Sequence, residues 1–221
     1  IRHLLTLILL YIILIVNKGE CMKYLFGPVN SRRLGISLGI DLLPYKTCSL
    51  DCIYCECGST TLLTTERREY VNTVDVINEL NEYLSSKPNL DYITFSGSGE
   101  PTLHSGIGKI ISFLKSYYPE YRICVLTNST LLHLKEVRDE IISADVIVPS
   151  LDAMTDDSLH KILRPHDSVT IGNILNGISS LYCEFSGKII IEYFVIPGVN
   201  DSNEEIDLLK RYLMTIDSAV V

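Results

Sequence analysis

Short apolar runs alternate with amphipathic stretches along most of the chain. The runs are rich in β-branched residues, nearly continuous in hydrophobicity, and located at 35–43, 92–96, 122–127, 145–150 and 188–196. Such runs are typical of parallel strands that are covered on both faces, whereas a half-exposed strand alternates between apolar and polar residues. The pattern therefore predicts five buried parallel strands.

The segments between these runs have the spacing of helices. Apolar residues recur there every three or four positions, which places them on one helical face, at 74–84, 107–114, 134–141, 171–181 and 206–213. Ser202 and Glu205 precede the last segment with the spacing of a capping box. We therefore expect each strand to be followed by one helix.

This regular alternation predicts an α/β fold with a parallel sheet and right-handed crossovers. Five βα units are present, and residues 217–221 are expected to begin a sixth strand, within which the sequence ends. Polar or glycine-rich residues follow every strand. A barrel collects such loops around one mouth, whereas a doubly wound sheet uses mainly those at one switch point. We therefore predict a partial (β/α)6 TIM-like barrel, truncated in strand 6.

Composition and charge narrow the possible classes of protein. The 221 residues suffice for one barrel-like domain, and a net charge of -8 disfavours tight non-specific binding to nucleic acid. An RNA substrate bound through a local basic patch is still compatible with that charge. Of seven cysteines, four are bunched at 48–57, and the odd total does not fit a disulfide framework. This distribution favours metal ligation and a cytoplasmic location.

The N-terminal residues 1–21 differ from the rest of the chain. Residues 4–16 are apolar except for Thr6, which is short for a membrane span but long enough for the core of a signal peptide. The first methionine is Met22, and the preceding Lys-Gly-Glu is what a purine-rich ribosome-binding sequence would encode. We expect residues 1–21 to be a translated leader outside the native protein, with a signal anchor as the alternative. Residues 22–221 then form one domain, incomplete at its C-terminus and without a membrane segment.

The bunched cysteines have the spacing C-x3-C-x2-C-x-C, formed by Cys48, Cys52, Cys55 and Cys57. Structural zinc sites more often use two separated cysteine pairs, although a zinc-stabilised, non-enzymatic binding module remains the alternative. Three closely spaced thiolates suit a cubane iron–sulfur cluster. Such a cluster then has one iron that is open to a small molecule.

The cysteine spacing resembles that of the radical S-adenosylmethionine (radical SAM) superfamily. Cys48, Cys52 and Cys55 follow the first predicted strand, and the aromatic Tyr54 precedes the last of them, as in the superfamily's C-x3-C-x-aromatic-C form. The resemblance implies that these three cysteines hold a [4Fe-4S] cluster and that Cys57 lies outside the ligand set.

Two further segments extend the resemblance to residues 24–221. The sequence SGEP at 98–101 resembles the superfamily's GGEP motif, with Ser98 in place of the first glycine. The sequences GPVNSRRLG at 27–35 and SLGID at 37–41 resemble a narrower group of uncharacterised iron–sulfur oxidoreductases related to tRNA wyosine-synthesis enzymes. The resemblance implies that the fourth iron chelates S-adenosylmethionine, whose one-electron cleavage yields methionine and a 5′-deoxyadenosyl radical that abstracts hydrogen from a substrate.

The resemblance also implies which residues contact S-adenosylmethionine. They lie at the ends of the strands or in the loops that follow. The residues implied near adenine are Tyr54 and Ile196, and those near the methionine amino group are Gly97, Ser98, Gly99, Glu100 and Pro101. Those near ribose or methionine are Asn128, Ser150 and Asp152, and the one near the methionine carboxylate is Arg164. Each residue type is also common in ordinary turns, caps and solvated helix ends. A flavodoxin- or ferredoxin-like electron donor is implied as a partner. The substrate is left open among tRNA, a partner enzyme and a small molecule.

Overall fold

The computed structural model describes residues 22–218 and contains one six-stranded sheet and one two-stranded ribbon. The strands of the sheet are β1 (Leu25–Ser31), β2 (Gly35–Ile40), β5 (Tyr92–Phe95), β6 (Arg122–Thr127), β7 (Val146–Pro149) and β8 (Lys188–Ile189). The ribbon pairs β3 (Thr47–Cys48) with β4 (Leu62–Leu63). In the sheet, the order is β1-β2-β5-β6-β7-β8, and only the β1–β2 pair is antiparallel among these described strands.

Helices connect the parallel strands. They are α1 (Thr73–Ser85), α2 (Ile107–Tyr117), α3 (Lys135–Ile141), α4 (Asp156–Leu163), α5 (Ile171–Glu184) and α6 (Asn203–Ser218), with a 3₁₀ turn at Pro101–Leu103. Side-chain caps begin several of them: Asn72 accepts from the first turn of α1, and Thr155 and Thr170 do the same for α4 and α5. Ser202 Oγ accepts from Glu205 N at 3.2 Å, but the Glu205 carboxylate accepts from Met154 N instead of completing the predicted capping box.

Alternate residues of the strands face two separate cores. Ile123 and Val125 of β6 pack with the helices in the main core, and Ile147 of β7 does the same. Between them, Cys124 faces the other side of the sheet, where it packs with Val146 and other apolar residues. Burial of both faces explains why the strands appear in the sequence as continuous apolar runs.

The α/β architecture with mostly parallel strands is confirmed, but closure of a barrel is not. The sheet is open over the described residues, with β1 and β8 at its edges, and the run predicted as a strand at 188–196 pairs regularly only at Lys188–Ile189. The strand predicted to begin at residue 217 is wrong. Helix α6 continues to Ser218, because Ile216 is buried on its apolar face and holds the last turn against the core. Residues 219–221 lie outside the described part of the chain.

The leader or anchor predicted for residues 1–21 also lies outside the described residues. Between residues 22 and 218, no helix combines the length and the hydropathy that a membrane span requires.

Candidate cofactor site at the carboxyl ends of the strands

The four bunched cysteines lie in the long loop between β2 and α1. The β3–β4 ribbon closes this loop, since Thr61 N and Leu62 N donate to the Lys46 carbonyl at 3.0 and 3.2 Å. Tight turns then fold the segment between the strands, with Cys55 N donating to Cys52 O at 3.1 Å. A short, internally hydrogen-bonded loop therefore holds cysteines that the sequence spaces three and two residues apart.

Cys48, Cys52 and Cys55 line one open cavity of about 250 Å³. The carboxyl ends of neighbouring parallel strands supply the rest of its wall, because they meet at the same edge of the sheet. The predicted residues that line this cavity are Cys48, Cys52, Cys55, Gly97, Gly99, Glu100, Pro101, Asn128 and Ser150. Sulfur, glycine backbone and amide groups thus face a common space.

Burial of the cysteine loop disfavours free thiolates. It raises the pKa of the Cys48 thiol to about 11, with repulsion from the Glu100 carboxylate as the next cause. It raises the pKa of the Cys52 thiol to about 12, with further contributions from Cys48 and Asp152. Ligation by iron deprotonates a thiol, so loading of this site is expected to release protons.

Three thiols around one cavity are a donor set that a cubane cluster can use. Among residues 22–218, no three histidine, cysteine, aspartate or glutamate side chains converge as one metal ion requires. A zinc ion needs all its thiolates about 2.3 Å from one centre. In a cubane cluster each thiolate instead binds a different iron, so three thiols around one cavity satisfy it without meeting at a point.

The glycine-rich loop after β5 packs directly against the cysteine loop. A Cβ atom on Gly99 would lie 2.0 Å from the Thr47 carbonyl oxygen, next to Cys48. Gly97 has a φ of +133°, and a Cβ atom there would lie 2.3 Å from Cγ of Asp41. The Asp41 carboxylate also accepts from Ser98 N and Ser98 Oγ, both at 2.9 Å. Glycine at 97 and 99 therefore permits an approach that no side chain would allow.

Glu100 is fully buried, and its carboxylate joins two strand ends. It accepts from Thr102 N and Oγ1, from Thr127 Oγ1 at 2.7 Å and from Asn128 N at 2.7 Å. Burial raises the pKa of Glu100, and the hydrogen bonds to its carboxylate act in the opposite direction. The carboxylate therefore fixes the loop after β5 to the end of β6. Its predicted contact with the methionine amino group stays a prediction.

Asn128 connects the end of β6 to the cysteine loop. Its Nδ2 donates to Ser49 Oγ at 2.9 Å and contacts Cys48 Sγ at 3.5 Å, while its Oδ1 accepts from Thr130 N and Oγ1. Ser150 lies beside it at the end of β7, where its backbone N donates to Thr127 O at 2.9 Å. Both side chains border the cavity.

Tyr54 joins the cysteine loop to the segment that follows β8. Its hydroxyl donates to the Asp152 carboxylate, and its ring stacks on Phe194 with the centroids 4.4 Å apart. Phe194 N donates to the other Asp152 oxygen at 2.7 Å. Burial raises the pKa of Asp152 and of Tyr54. Tyr54, Asp152 and Phe194 border a second cavity next to the first one. Cys55, Ser150 and Glu192 line both cavities.

Arg164 and Ile196 are not brought to the cysteine cavity. Arg164 ends α4 with a left-handed φ of 43°, and its side chain is 60% exposed and 3.8 Å from Asp51. Ile196 N donates to Asn200 Oδ1 at 2.7 Å, and its carbonyl accepts from Val199 N. The polar backbone groups of Ile196 therefore stabilise a turn, and the cofactor contacts predicted for both residues stay predictions.

Sequence reasoning missed three charged residues at the site. Lys46 is buried, with its ammonium 3.0 Å from Cys55 Sγ. Asp41 anchors the glycine-rich loop, and Glu192, which pairs with Arg33, lines the cavity. Of these three residues, Lys46 could have been suspected from the sequence, because it lies next to the cysteine run. The contacts of Asp41 and Glu192 join residues that are far apart in sequence.

Comparisons with known proteins identify the family of the chain. The model of the Radical SAM superfamily matches residues 42–209. The chain is 42% identical to a protein of Brachyspira hyodysenteriae named GTPase Obg over 84% of this chain and 27% of that protein. It is 38% identical to a UPF0026 protein of Synechocystis sp. over 85% of this chain and 68% of that protein. A solved structure of TYW1 has a TM-score of 0.56 at 19% identity, covering 80% of this chain and 61% of that chain.

These matches confirm the predicted resemblance to the radical SAM superfamily. The superfamily uses a [4Fe-4S] cluster and S-adenosylmethionine, as predicted. The likeness to TYW1 shows the fold alone at this level of identity. The chain spans 27% and 68% of the two curated relatives, so the activity of a whole protein is a matter of proposal.

Proposed function

Since the chain belongs to the radical SAM superfamily, we propose that it binds a [4Fe-4S] cluster and S-adenosylmethionine and cleaves this cofactor reductively. The observation that most supports the proposal is the shared cavity of Cys48, Cys52 and Cys55 with the glycine-rich loop. When bound, the cluster supplies one electron that cleaves the sulfonium to methionine and a 5′-deoxyadenosyl radical, which takes hydrogen from a substrate.

The residues of the chain have distinct parts in this proposal. Cys48, Cys52 and Cys55 hold the cluster through their thiolates. Gly97 and Gly99 let the backbone of the loop after β5 approach the cofactor closely, because neither carries a Cβ atom. The loop therefore supplies main-chain groups beside the cysteines.

Polar and aromatic side chains complete the proposed cofactor pocket. Asn128 and Ser150 present an amide and a hydroxyl at the ends of β6 and β7. Tyr54 and Phe194 form a stacked aromatic wall on the side of the adjoining cavity. Such rings pack well against a purine base and exclude water from one side of it. The electron donor that we propose is a flavodoxin- or ferredoxin-like protein.

Anaerobic reconstitution with iron and sulfide tests the proposal directly. We expect brown protein with a broad visible absorbance shoulder that bleaches on addition of dithionite. Cys48→Ala, Cys52→Ala and Cys55→Ala should each abolish cluster binding. Cys57→Ala is the matched control, because Cys57 belongs to the same loop but does not line the cysteine cavity.

Two outcomes would contradict the proposal. A colourless protein that contains stoichiometric zinc would support the alternative, a non-enzymatic module stabilised by metal. Loss of the cluster in Cys57→Ala, with retention in one of the other three variants, would show that the ligand set is wrongly assigned.

A further inference from the structure

Lys46 occupies an unusual position for a lysine. The residue as a whole is only 2% exposed, and its backbone has a left-handed φ of 55°, which is uncommon for any residue but glycine. Hydrogen bonds from Thr61 N and Leu62 N to the Lys46 carbonyl hold the backbone in this conformation. The β3–β4 ribbon therefore holds Lys46 at the cysteine cavity, and Lys46 is one of the residues that line this cavity.

The ammonium group of Lys46 faces sulfur. Its hydrogen-bond partner is Cys55 Sγ at 3.0 Å, and no carboxylate between residues 22 and 218 forms an ion pair with it. A buried charge is costly unless an opposite charge compensates it. The neutral thiols alone do not provide that charge, whereas iron-bound thiolates do.

We propose that Lys46 is a positioning residue that hydrogen-bonds the Cys55 thiolate and makes the bound cluster easier to reduce. The inference rests on the proposed function, since it requires the cluster to be present. One-electron reduction adds a negative charge to the cluster, and a buried ammonium stabilises the reduced form more than the oxidised form. Hydrogen bonds to cluster sulfurs and local charge are among the factors that set reduction potentials in iron–sulfur proteins.

Substitution of Lys46 separates charge from packing. Lys46→Met keeps the length of the side chain and removes the charge, whereas Lys46→Arg keeps the charge. Lys87→Met is the matched control, because Lys87 also has a left-handed φ, of 52°, but is exposed and does not line the cavity. The midpoint potential is measured by redox titration of the electron paramagnetic resonance signal of the reduced cluster, together with iron content.

At a fixed potential near the midpoint, we expect the ratio of reduced to oxidised cluster to be about tenfold lower in Lys46→Met than in the wild type, which corresponds to a shift of about 59 mV to lower potential for one electron. Lys46→Arg and Lys87→Met should titrate like the wild type. If Lys46→Met folds but loads no iron, Lys46→Gln replaces it, since its amide keeps a hydrogen-bond donor without the charge. A lower midpoint in Lys46→Gln supports the same role.

An unchanged midpoint in the neutral variants, with full iron content, would overturn the inference and leave the proposed function intact. Loss of the cluster in Lys46→Arg as well as in both neutral variants would also overturn it, because the residue would then act through the shape of the loop. Absence of any cluster in the wild-type protein would instead refute the proposed function, and the inference with it.

Discussion

Gly99→Ala is the change that tests most directly how the glycine-rich loop supports the cysteines. A Cβ atom on Gly99 would lie 2.0 Å from the Thr47 carbonyl oxygen and 2.7 Å from Leu43 Cδ1, whereas ordinary contact begins at 3.4 Å. The first of these atoms belongs to the backbone and cannot rotate away. Either the loop or the β3 strand must therefore move by more than an ångström, and the 3.3 Å hydrogen bond from Glu100 N to Thr47 O is strained or lost.

The expected cost of Gly99→Ala follows from these contacts. Overpacking of a buried contact costs about 1–3 kcal/mol, and a lost hydrogen bond adds about 1 kcal/mol, so the free energy of unfolding should fall by about 2–4 kcal/mol. Urea unfolding of the apoprotein measures this change. Because Thr47 directly precedes Cys48, we also expect iron loading of the variant to fall.

Gly172→Ala is the matched control for this substitution. A Cβ atom on Gly172 would meet only Thr170 Oγ1, at 3.9 Å, and alanine favours the helix that Gly172 helps to begin. Its free energy of unfolding should equal or exceed that of the wild type. If Gly99→Ala were as stable as Gly172→Ala and loaded as much iron, the close packing of the two loops would not be what requires glycine at position 99.

Two further substitutions test the polar contacts around the cavity, both by urea unfolding. Glu100→Gln replaces a buried carboxylate, which accepts hydrogen bonds from several donors, with an amide, so the free energy of unfolding should fall by about 1.5–3 kcal/mol. The control Glu120→Gln is at an exposed position and should change the free energy of unfolding by less than about 0.5 kcal/mol. Equal effects of the two substitutions would refute the scaffold role of Glu100. Tyr54→Phe keeps the ring stack but leaves buried Asp152 without its hydroxyl donor, which should cost about 1–3 kcal/mol. An unchanged stability would show that the hydroxyl contact is dispensable.

The common cavity of cysteines and glycine-rich loop could be anticipated from chain order. The cysteine run follows one strand of a βα repeat and the SGEP sequence follows the next, and in a parallel sheet consecutive strand ends lie side by side. The direction of individual side chains did not follow from that order. Glu100 was expected near the cofactor, yet its carboxylate is bound by Thr127 and Asn128, because folding brings those donors against it.

Strand β1 and helix α4 are among the elements that the pattern of apolar positions did not predict. Strand β1 contains Gly27 and Pro28, which usually mark a turn, and it is accommodated because it lies at the edge of the sheet. Helix α4 was also missed, although its buried Leu159, Ile162 and Leu163 have the spacing of one helical face. For β1, the missing information was its edge position, which a local pattern does not record.

The anaerobic cleavage of S-adenosylmethionine tests the central claim most directly. Reconstituted protein is reduced with dithionite in the presence of S-adenosylmethionine, and the products are quantified by chromatography and mass spectrometry. The account predicts methionine and 5′-deoxyadenosine in equal amounts, with neither formed above background by Cys52→Ala. Wild-type protein that carries its full complement of iron and sulfide and yet forms no 5′-deoxyadenosine would contradict it.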